Sequence, residues 1–202
     1  ALRWLWRLVI WTLFLRDMAR LDLRTVATHA DRAGGLGFLG VAHASLAIFP
    51  LAISCILSGH VAFELYFGAA SIDAFKGLFV VYLITAEVIC LGPLLVFVPL
   101  LASTRRQGLL QYSQLADTLN RTFEDKWVQG EPPDEPLMGN KDIPSLAFFG
   151  DCFKRVQEMR VIPFTREQAL QIAIIASLPC LPLVFLVLPV GALLKLLAGA
   201  IL

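Results

Sequence analysis

Charged side chains are scarce in this 202-residue chain, and long stretches have almost none. Lys, Arg, Asp and Glu together make up 16% of the residues, whereas hydrophobic residues reach 57% and the mean hydropathy is +0.72. Soluble domains contain only ~45–50% apolar residues, so this composition excludes an ordinary soluble domain. A net charge of +1 and the lack of a basic block give no indication of nucleic acid as a partner. The sequence predicts an all-α, polytopic membrane protein.

Motifs for metal, redox or covalent chemistry are also lacking. The four cysteines, Cys55, Cys90, Cys152 and Cys180, are far apart and form no C-x-x-C pair, so we expect buried free thiols and no zinc or iron–sulfur centre. There is no Gly-x-Ser-x-Gly elbow, no His-Glu-x-x-His helix and no nucleotide-binding loop. These absences predict that the protein is not an enzyme and holds no cofactor.

The uncharged stretches are long enough to cross a membrane. Residues 36–59 carry no charge, and residues 78–102 carry only Glu87, with Pro93 and Pro99 as expected kinks. About 20 apolar helical residues cross a hydrocarbon core of ~30 Å, so each stretch predicts one span. Residues 1–20 are rich in tryptophan and predict the end of a truncated first span. The alternative is a helix that lies in the membrane interface, with Arg3 and Arg7 reaching the phosphates.

The C-terminal stretch, residues 168–202, is too long for one straight span. It carries no charge before Lys195 and would measure ~52 Å as a single helix. Pro179, Pro182 and Pro189 predict a kinked span near 168–190, followed by a short return or interfacial helix.

Basic residues are distributed unevenly between the connectors. Residues 103–167 contain nine Lys or Arg, whereas residues 60–77 contain only Lys76. Because cytoplasmic loops carry the excess of positive charge, we expect residues 103–167 in the cytoplasm and residues 60–77 in the periplasm. The charged turn 21–35 carries Arg24 and Arg32 and is assigned to the transmembrane part, residues 1–102.

Residues 103–167 predict a cytoplasmic hairpin of two amphipathic helices. Prolines around Pro133 separate the helices, and Asp142 with Pro144 marks the start of the second. Apolar residues recur at steps of three and four in both helices, so we expect the two stripes to pack together. The stripes are Tyr112, Leu115, Leu119, Phe123 and Trp127 in the first helix, and Leu146, Phe149, Phe153 and Val156 in the second.

Two polar residues inside the predicted spans are candidate site residues. Glu87 is costly in hydrocarbon, so it either faces a pore or is a neutral group bonded to another helix. His43 has the same two interpretations. His60, Glu64 and Asp73 share one connector, and we interpret them as a solvated anionic loop rather than a metal site.

The turn before the first full span predicts an anion or lipid-headgroup site. Its sequence, Thr-His-Ala-Asp-Arg-Ala-Gly-Gly-Leu-Gly-Phe over residues 28–38, places a cation beside glycines with free amides. The alternative is a tight turn in which Asp31 caps a helix. The candidate residues are His29, Asp31, Arg32, Gly34 and Gly35.

This turn, together with residues 20–24, 142–146 and 159–164, resembles a family of uncharacterised bacterial multi-pass membrane proteins. The family more often has His-Pro-Asp where this chain has His29, Ala30 and Asp31. The resemblance implies a bacterial inner-membrane setting, and it implies no activity.

Two functions are compatible with these patterns. The first is a homo-oligomeric channel or transporter for a small ion or solute, with Glu87 on the path. The alternative is a non-catalytic membrane scaffold whose hairpin docks a cytoplasmic protein partner. Membrane lipids are expected partners in both cases.

Overall fold

The computed structural model of the chain describes residues 2–68, 71–129 and 140–183. Within these ranges every regular element is helical and no strand is present, which confirms the all-α prediction. Turns of 3₁₀ helix at Ser45–Ala47, Ile72–Phe75, Gly92–Phe97 and Leu178–Cys180 adjoin the α-helices. The α-helices are α1 (Leu2–Ala19), α2 (Phe38–Ala44), α3 (Ile48–Phe67), α4 (Lys76–Leu91), α5 (Val98–Trp127), α6 (Asp142–Gln157) and α7 (Arg166–Ser177).

Two helical stretches are long and apolar enough to cross a membrane, Phe38–Phe67 and Ile72–Trp127. The first stretch contains the predicted span 36–59 except for its first two residues. The second stretch contains the predicted span 78–102. The second stretch is interrupted by the 3₁₀ turn Gly92–Phe97, where Pro93 cannot donate a backbone hydrogen bond. The predicted span 168–190 is helical over its described part, and residues 184–202 lie outside the described residues.

The described chain divides into two compact units. The first, called the apolar unit, contains the residues up to Trp11, Gly40–Pro93 and the residues from Thr165 onward. The second, called the hairpin unit, contains Thr12–Leu39 and Leu94–Phe164. This division differs from the sequence-based one, which assigned residues 21–35 to the transmembrane part. The difference arises because residues 21–35 bond to residues of α5 and to the segment after α6.

In the apolar unit, α7 packs against α3 and α4. Polar side chains bridge the helices at bends: the Ser58 hydroxyl donates to the Pro179 carbonyl over 2.6 Å, and the Tyr82 hydroxyl donates to the Pro50 carbonyl over 2.5 Å. Thr165 starts α7 through a capping box, because its hydroxyl accepts from the Gln168 amide while the Gln168 side chain accepts from the Thr165 amide.

In the hairpin unit, α5 and α6 pack along each other. The rings of Tyr112 and Phe149 stack with centroids 5.9 Å apart. At the end of α5, Lys126 and Trp127 both donate to the Asp142 carboxylate, over 2.7 and 3.1 Å. One residue of the predicted stripe does not fit, because Leu115 is 49% exposed on α5.

Candidate functional site

The Asp31 carboxylate organises the turn between α1 and α2. Its Oδ1 accepts hydrogen bonds from the amides of Ala33 and Gly35, at 2.8 and 3.1 Å. Its Oδ2 accepts a third from the Gly37 amide, at 2.8 Å. Three main-chain donors on one carboxylate fix the path of residues 31–37, because each would otherwise need another acceptor.

The glycines of this turn are required for two different reasons. Gly34 and Gly35 adopt φ angles of +64° and +95°, a region that is strained for other residues. Gly37 instead leaves room for the carboxylate, since a Cβ there would lie 3.0 Å from the Asp31 Oδ2. Arg32 also has a positive φ, +55°.

The turn stabilises the charged form of Asp31. Partial burial raises the pKa of the carboxyl, but hydrogen bonds from the amides of Ala33, Gly37 and Gly35 and from His29 outweigh that effect and lower the pKa to about 2. The His29 Nδ1 lies 2.8 Å from the Asp31 Oδ1 on the exposed side of the turn. Asp31 is therefore ionised at neutral pH.

Residues 158–160, which follow α6, clamp the same turn. The Arg160 amide donates to the Arg32 carbonyl over 2.7 Å, and the Arg160 Nη2 donates to the Asp31 carbonyl over 2.9 Å. The Arg32 guanidinium lies 3.3 Å from the Glu158 carboxylate. The structure thus brings together two of the segments on which the family resemblance depends, residues 28–38 and 159–164.

Close packing supports these bonds. Ala33 is fully buried and Met159 is 2% exposed. A Cβ at Gly34 would lie 3.1 Å from side-chain atoms of both Leu101 and Met159, so only a glycine fits between them without displacement. Gly108 on α5 is equally enclosed, because its Cβ would lie 2.6 Å from the Cβ of Ala27.

Two half-buried arginines of this unit have no anionic partner among the described residues. Arg105 donates from Nη2 to the Gln157 carbonyl over 3.0 Å, and Arg160 donates to the Asp31 carbonyl as described above. The Nε of each is buried and has no hydrogen-bond partner among the described residues. Within the same residues, no carboxylate lies within 4.0 Å of either guanidinium. Arg105 and Arg160 were not among the candidate site residues predicted from the sequence.

The predicted anion site therefore has a different internal arrangement from the one expected. The amides of Ala33, Gly35 and Gly37 donate to the chain's own Asp31 carboxylate, as in the alternative of a capped tight turn. His29 and Arg32 have carboxylate partners at their exposed ends. Binding of an external anion by His29, Asp31, Arg32, Gly34 and Gly35 stays a prediction.

Glu87 lies on α4 in the apolar unit, and its side chain is half-buried. Its Oε1 is buried and has no hydrogen-bond partner in the described part of the chain. One turn later on the same helix, the buried Cys90 lines a cavity of about 210 Å³. Arg7, Trp4 and Trp11 of α1 line that cavity too.

His43 is fully buried in the apolar unit. Its Nε2 accepts a hydrogen bond of 3.0 Å from the indole of Trp11, and the two rings are 5.8 Å apart. This is the arrangement expected for a neutral histidine bonded to another helix. Its second interpretation, a residue lining a pore, stays a prediction.

The possible metal ligands and the cysteines are the remaining candidates from the sequence. Among the residues that the structure describes, no group of three His, Cys, Asp or Glu side chains is arranged to hold a metal ion, and His60 is exposed. All four cysteines are free. Cys90 is buried as expected, but Cys55 is exposed on α3, so the expectation of burial is wrong for that residue.

Comparisons of the chain with protein-family models, with curated proteins and with solved structures find no match. Its class therefore depends on the architecture described here: an all-helical protein with two helical stretches apolar enough to cross a membrane.

Proposed function

We propose that this chain is a multi-pass protein of the bacterial inner membrane, and that several copies form a channel or transporter for a small ion or solute. The membrane setting is supported by the two long apolar helical stretches and by the apolar side chains that α3 and α4 expose. Ile56, Val81 and Val88 are 76%, 62% and 63% exposed, which would be unfavourable in water but suits contact with lipid.

The observation that carries the transport proposal is the position of Glu87. A carboxyl group in a membrane helix is retained only where it is neutral, paired or wetted, because insertion of a central acidic residue costs ~2.5–3.5 kcal/mol. The described residues supply no hydrogen-bond partner for its buried Oε1. We therefore assign Glu87 to a polar path that is completed by a second copy of the chain or by water.

The cavity lined by Cys90, one turn after Glu87 on α4, supports the same assignment. It combines a cationic side chain, Arg7, with the thiol of Cys90 in surroundings that are otherwise aromatic and apolar. Because Glu87 precedes Cys90 by three residues on α4, the two side chains lie on the same side of that helix. A carboxyl and a guanidinium near one apolar cavity are the polar groups that an ion or small solute would need.

The proposal is tested by reconstitution of the purified full-length protein into liposomes. We expect flux of protons, K⁺ or Cl⁻ above that of empty liposomes, and particles larger than one chain. Glu124→Gln, a change on the exposed surface of α5, is the control variant and should leave the flux unchanged. Single-chain particles without flux of any tested species would reject the transport proposal.

A second candidate function, a membrane scaffold, is favoured by the surface of the hairpin unit. A cavity of about 240 Å³ opens between α5 and α6, and its apolar lining includes Leu119, Phe123 and Leu146. Nearby, Phe148 is 72% exposed on α6. A photo-crosslinking residue at Phe148 should give an adduct of constant mass in cells, whereas one at the exposed Ser113 of α5 should not. Absence of the Phe148 adduct would count against a scaffold.

A further inference from the structure

Neither Arg105 nor Arg160 has a carboxylate within 4.0 Å of its guanidinium in the part of the chain that the structure describes. Each guanidinium has five N–H donors, and among the described residues each donates one hydrogen bond, to a neutral main-chain carbonyl. Burial of a charge is unfavourable unless an opposite charge compensates for it. Nearby Arg32 provides the contrast, because it has the Glu158 carboxylate at 3.3 Å.

The two arginines are connected through one short segment, residues 157–160. The carbonyl that accepts from Arg105 belongs to Gln157, and Arg160 follows three residues later. Three residues span at most about 11 Å of chain. Leu101, one turn before Arg105, and Met159, the neighbour of Arg160, both lie against Gly34, so the two arginines belong to one region of the hairpin unit.

The position of Arg105 in the chain indicates what the missing anion is. Arg105 follows the uncharged run that ends at Ala102 by three residues, on the same helix, α5. In the proposed membrane setting, a side chain at this point lies at the depth of the lipid phosphates. Basic groups at the cytoplasmic ends of membrane helices bind anionic headgroups, and arginine matches the geometry of phosphate oxygens.

We propose that Arg105 and Arg160 bind a phosphate group, with an anionic phospholipid headgroup as the ligand. The site is separate from Glu87 and does not require conduction, although it depends on the proposed membrane setting. The Asp31 turn acts as the support of this site, because the Asp31 and Arg32 carbonyls fix Arg160 by its side chain and its amide. The anion binding expected of the turn at residues 28–38 is thereby assigned to two side chains outside that turn.

The test measures binding of short-chain phosphatidylglycerol to the purified full-length protein in neutral detergent, at constant ionic strength. We expect saturable binding that Arg105→Gln weakens at least tenfold, because a hydrogen bond to a charged group is lost. Arg105→Gln is preferred to an Arg160 variant since Arg105 makes no bond to the Asp31 turn. Arg106→Gln, an exposed neighbour on the same helix, is the control and should bind as the wild type does.

Two further compounds, phosphatidylcholine and glycerol phosphate, distinguish a lipid headgroup from a soluble phosphate ester as the ligand. Stronger binding of phosphatidylglycerol than of either compound supports a lipid site. Equal binding of glycerol phosphate, with the same loss in Arg105→Gln, supports the phosphate site but assigns it to a soluble ester. Equal binding of phosphatidylglycerol by the wild type and Arg105→Gln would overturn the proposal, whatever the flux assay shows. The variant's circular dichroism and elution volume must match the wild type, and Arg105→Lys, which keeps the charge, should retain part of the binding.

Discussion

The Arg160 guanidinium donates a hydrogen bond of 2.9 Å to the backbone carbonyl of Asp31, 129 residues earlier in the chain. A second bond, from the Arg160 amide to the Arg32 carbonyl, holds the same two segments together. Such long-range bonds explain why residues 12–39 form one compact unit with residues 94–164. They also explain why a turn rich in glycine has a single, fixed path.

Asp31→Asn is predicted to destabilise the hairpin unit. One of the two terminal atoms becomes a donor, so it cannot accept from an amide, and the charge that strengthens the remaining bonds is lost. Bonds to a charged group contribute about 1.5–3 kcal/mol, and we expect a loss of that order in the free energy of unfolding. Asp117→Asn is the matched control, because Asp117 is exposed and, among the described residues, pairs with Arg121 one turn away. Equal unfolding midpoints for both variants would show that the carboxylate does not organise the turn.

The contribution of Asp31 should also depend on pH. Its pKa is lowered from 3.8 to about 2 in the folded chain, so the folded state favours the ionised form. The resulting stabilisation is complete above pH 4 and is lost as the pH falls through about 2. Denaturant unfolding at several pH values should show the difference between wild type and Asp31→Asn shrinking in that window. A difference that stays constant down to pH 2 would contradict this origin.

Gly108→Ala is predicted to be destabilising although alanine favours helices. The new Cβ would lie 2.6 Å from the Ala27 Cβ and 3.1 Å from the Val156 Cγ1, and neither neighbour is the end of a flexible side chain. Overpacking of this kind costs roughly 1–3 kcal/mol. Gly150→Ala on α6 is the control, since nothing lies within 4 Å of its Cβ, and it should stabilise by about 0.5–1 kcal/mol. Thermal unfolding of the two variants should shift in opposite directions.

The membrane topology is testable with single cysteines in a background without Cys55, Cys90, Cys152 and Cys180. We predict that a cysteine at Ser71 reacts with an impermeant thiol reagent in intact spheroplasts and that one at Gln129 reacts only after lysis. Both positions are exposed, so access to the reagent depends on the side of the membrane. The reason is the excess of basic residues in 103–167 over 60–77. Labelling of Gln129→Cys in intact spheroplasts would show that the topology is the opposite of the predicted one.

The helical elements were predictable because periodicity and charge are local signals. The uncharged run 36–59 and the start of α6 at Asp142 follow from such signals. The shared unit of residues 12–39 and 94–164 was not predictable, since it depends on contacts such as Gly108 with Ala27 that leave no periodic pattern.

The candidate site was predictable only in part. The glycines and the charged pair identified the turn, and Asp31 was recognised as a possible cap. Arg105 and Arg160 were not identified as binding residues, because their bonds to the Gln157 and Asp31 carbonyls join distant parts of the chain and leave no local pattern. The capping box of Thr165 and Gln168 was also missed, although its Thr-x-x-Gln spacing is a local signal that identifies it.

The central claim, that Glu87 lies on a transport path, is tested most directly by flux into liposomes that carry wild type, Glu87→Gln or Glu87→Leu. The account predicts that Glu87→Gln assembles as the wild type does but changes the ion flux or its pH dependence, because the amide keeps size and hydrogen bonding and loses the ionisable group. Glu87→Leu should lower the flux below that of both the wild type and Glu87→Gln. The account would be contradicted if Glu87→Gln conducted as the wild type at every pH while Glu87→Leu disrupted assembly, since Glu87 would then be a structural link between helices.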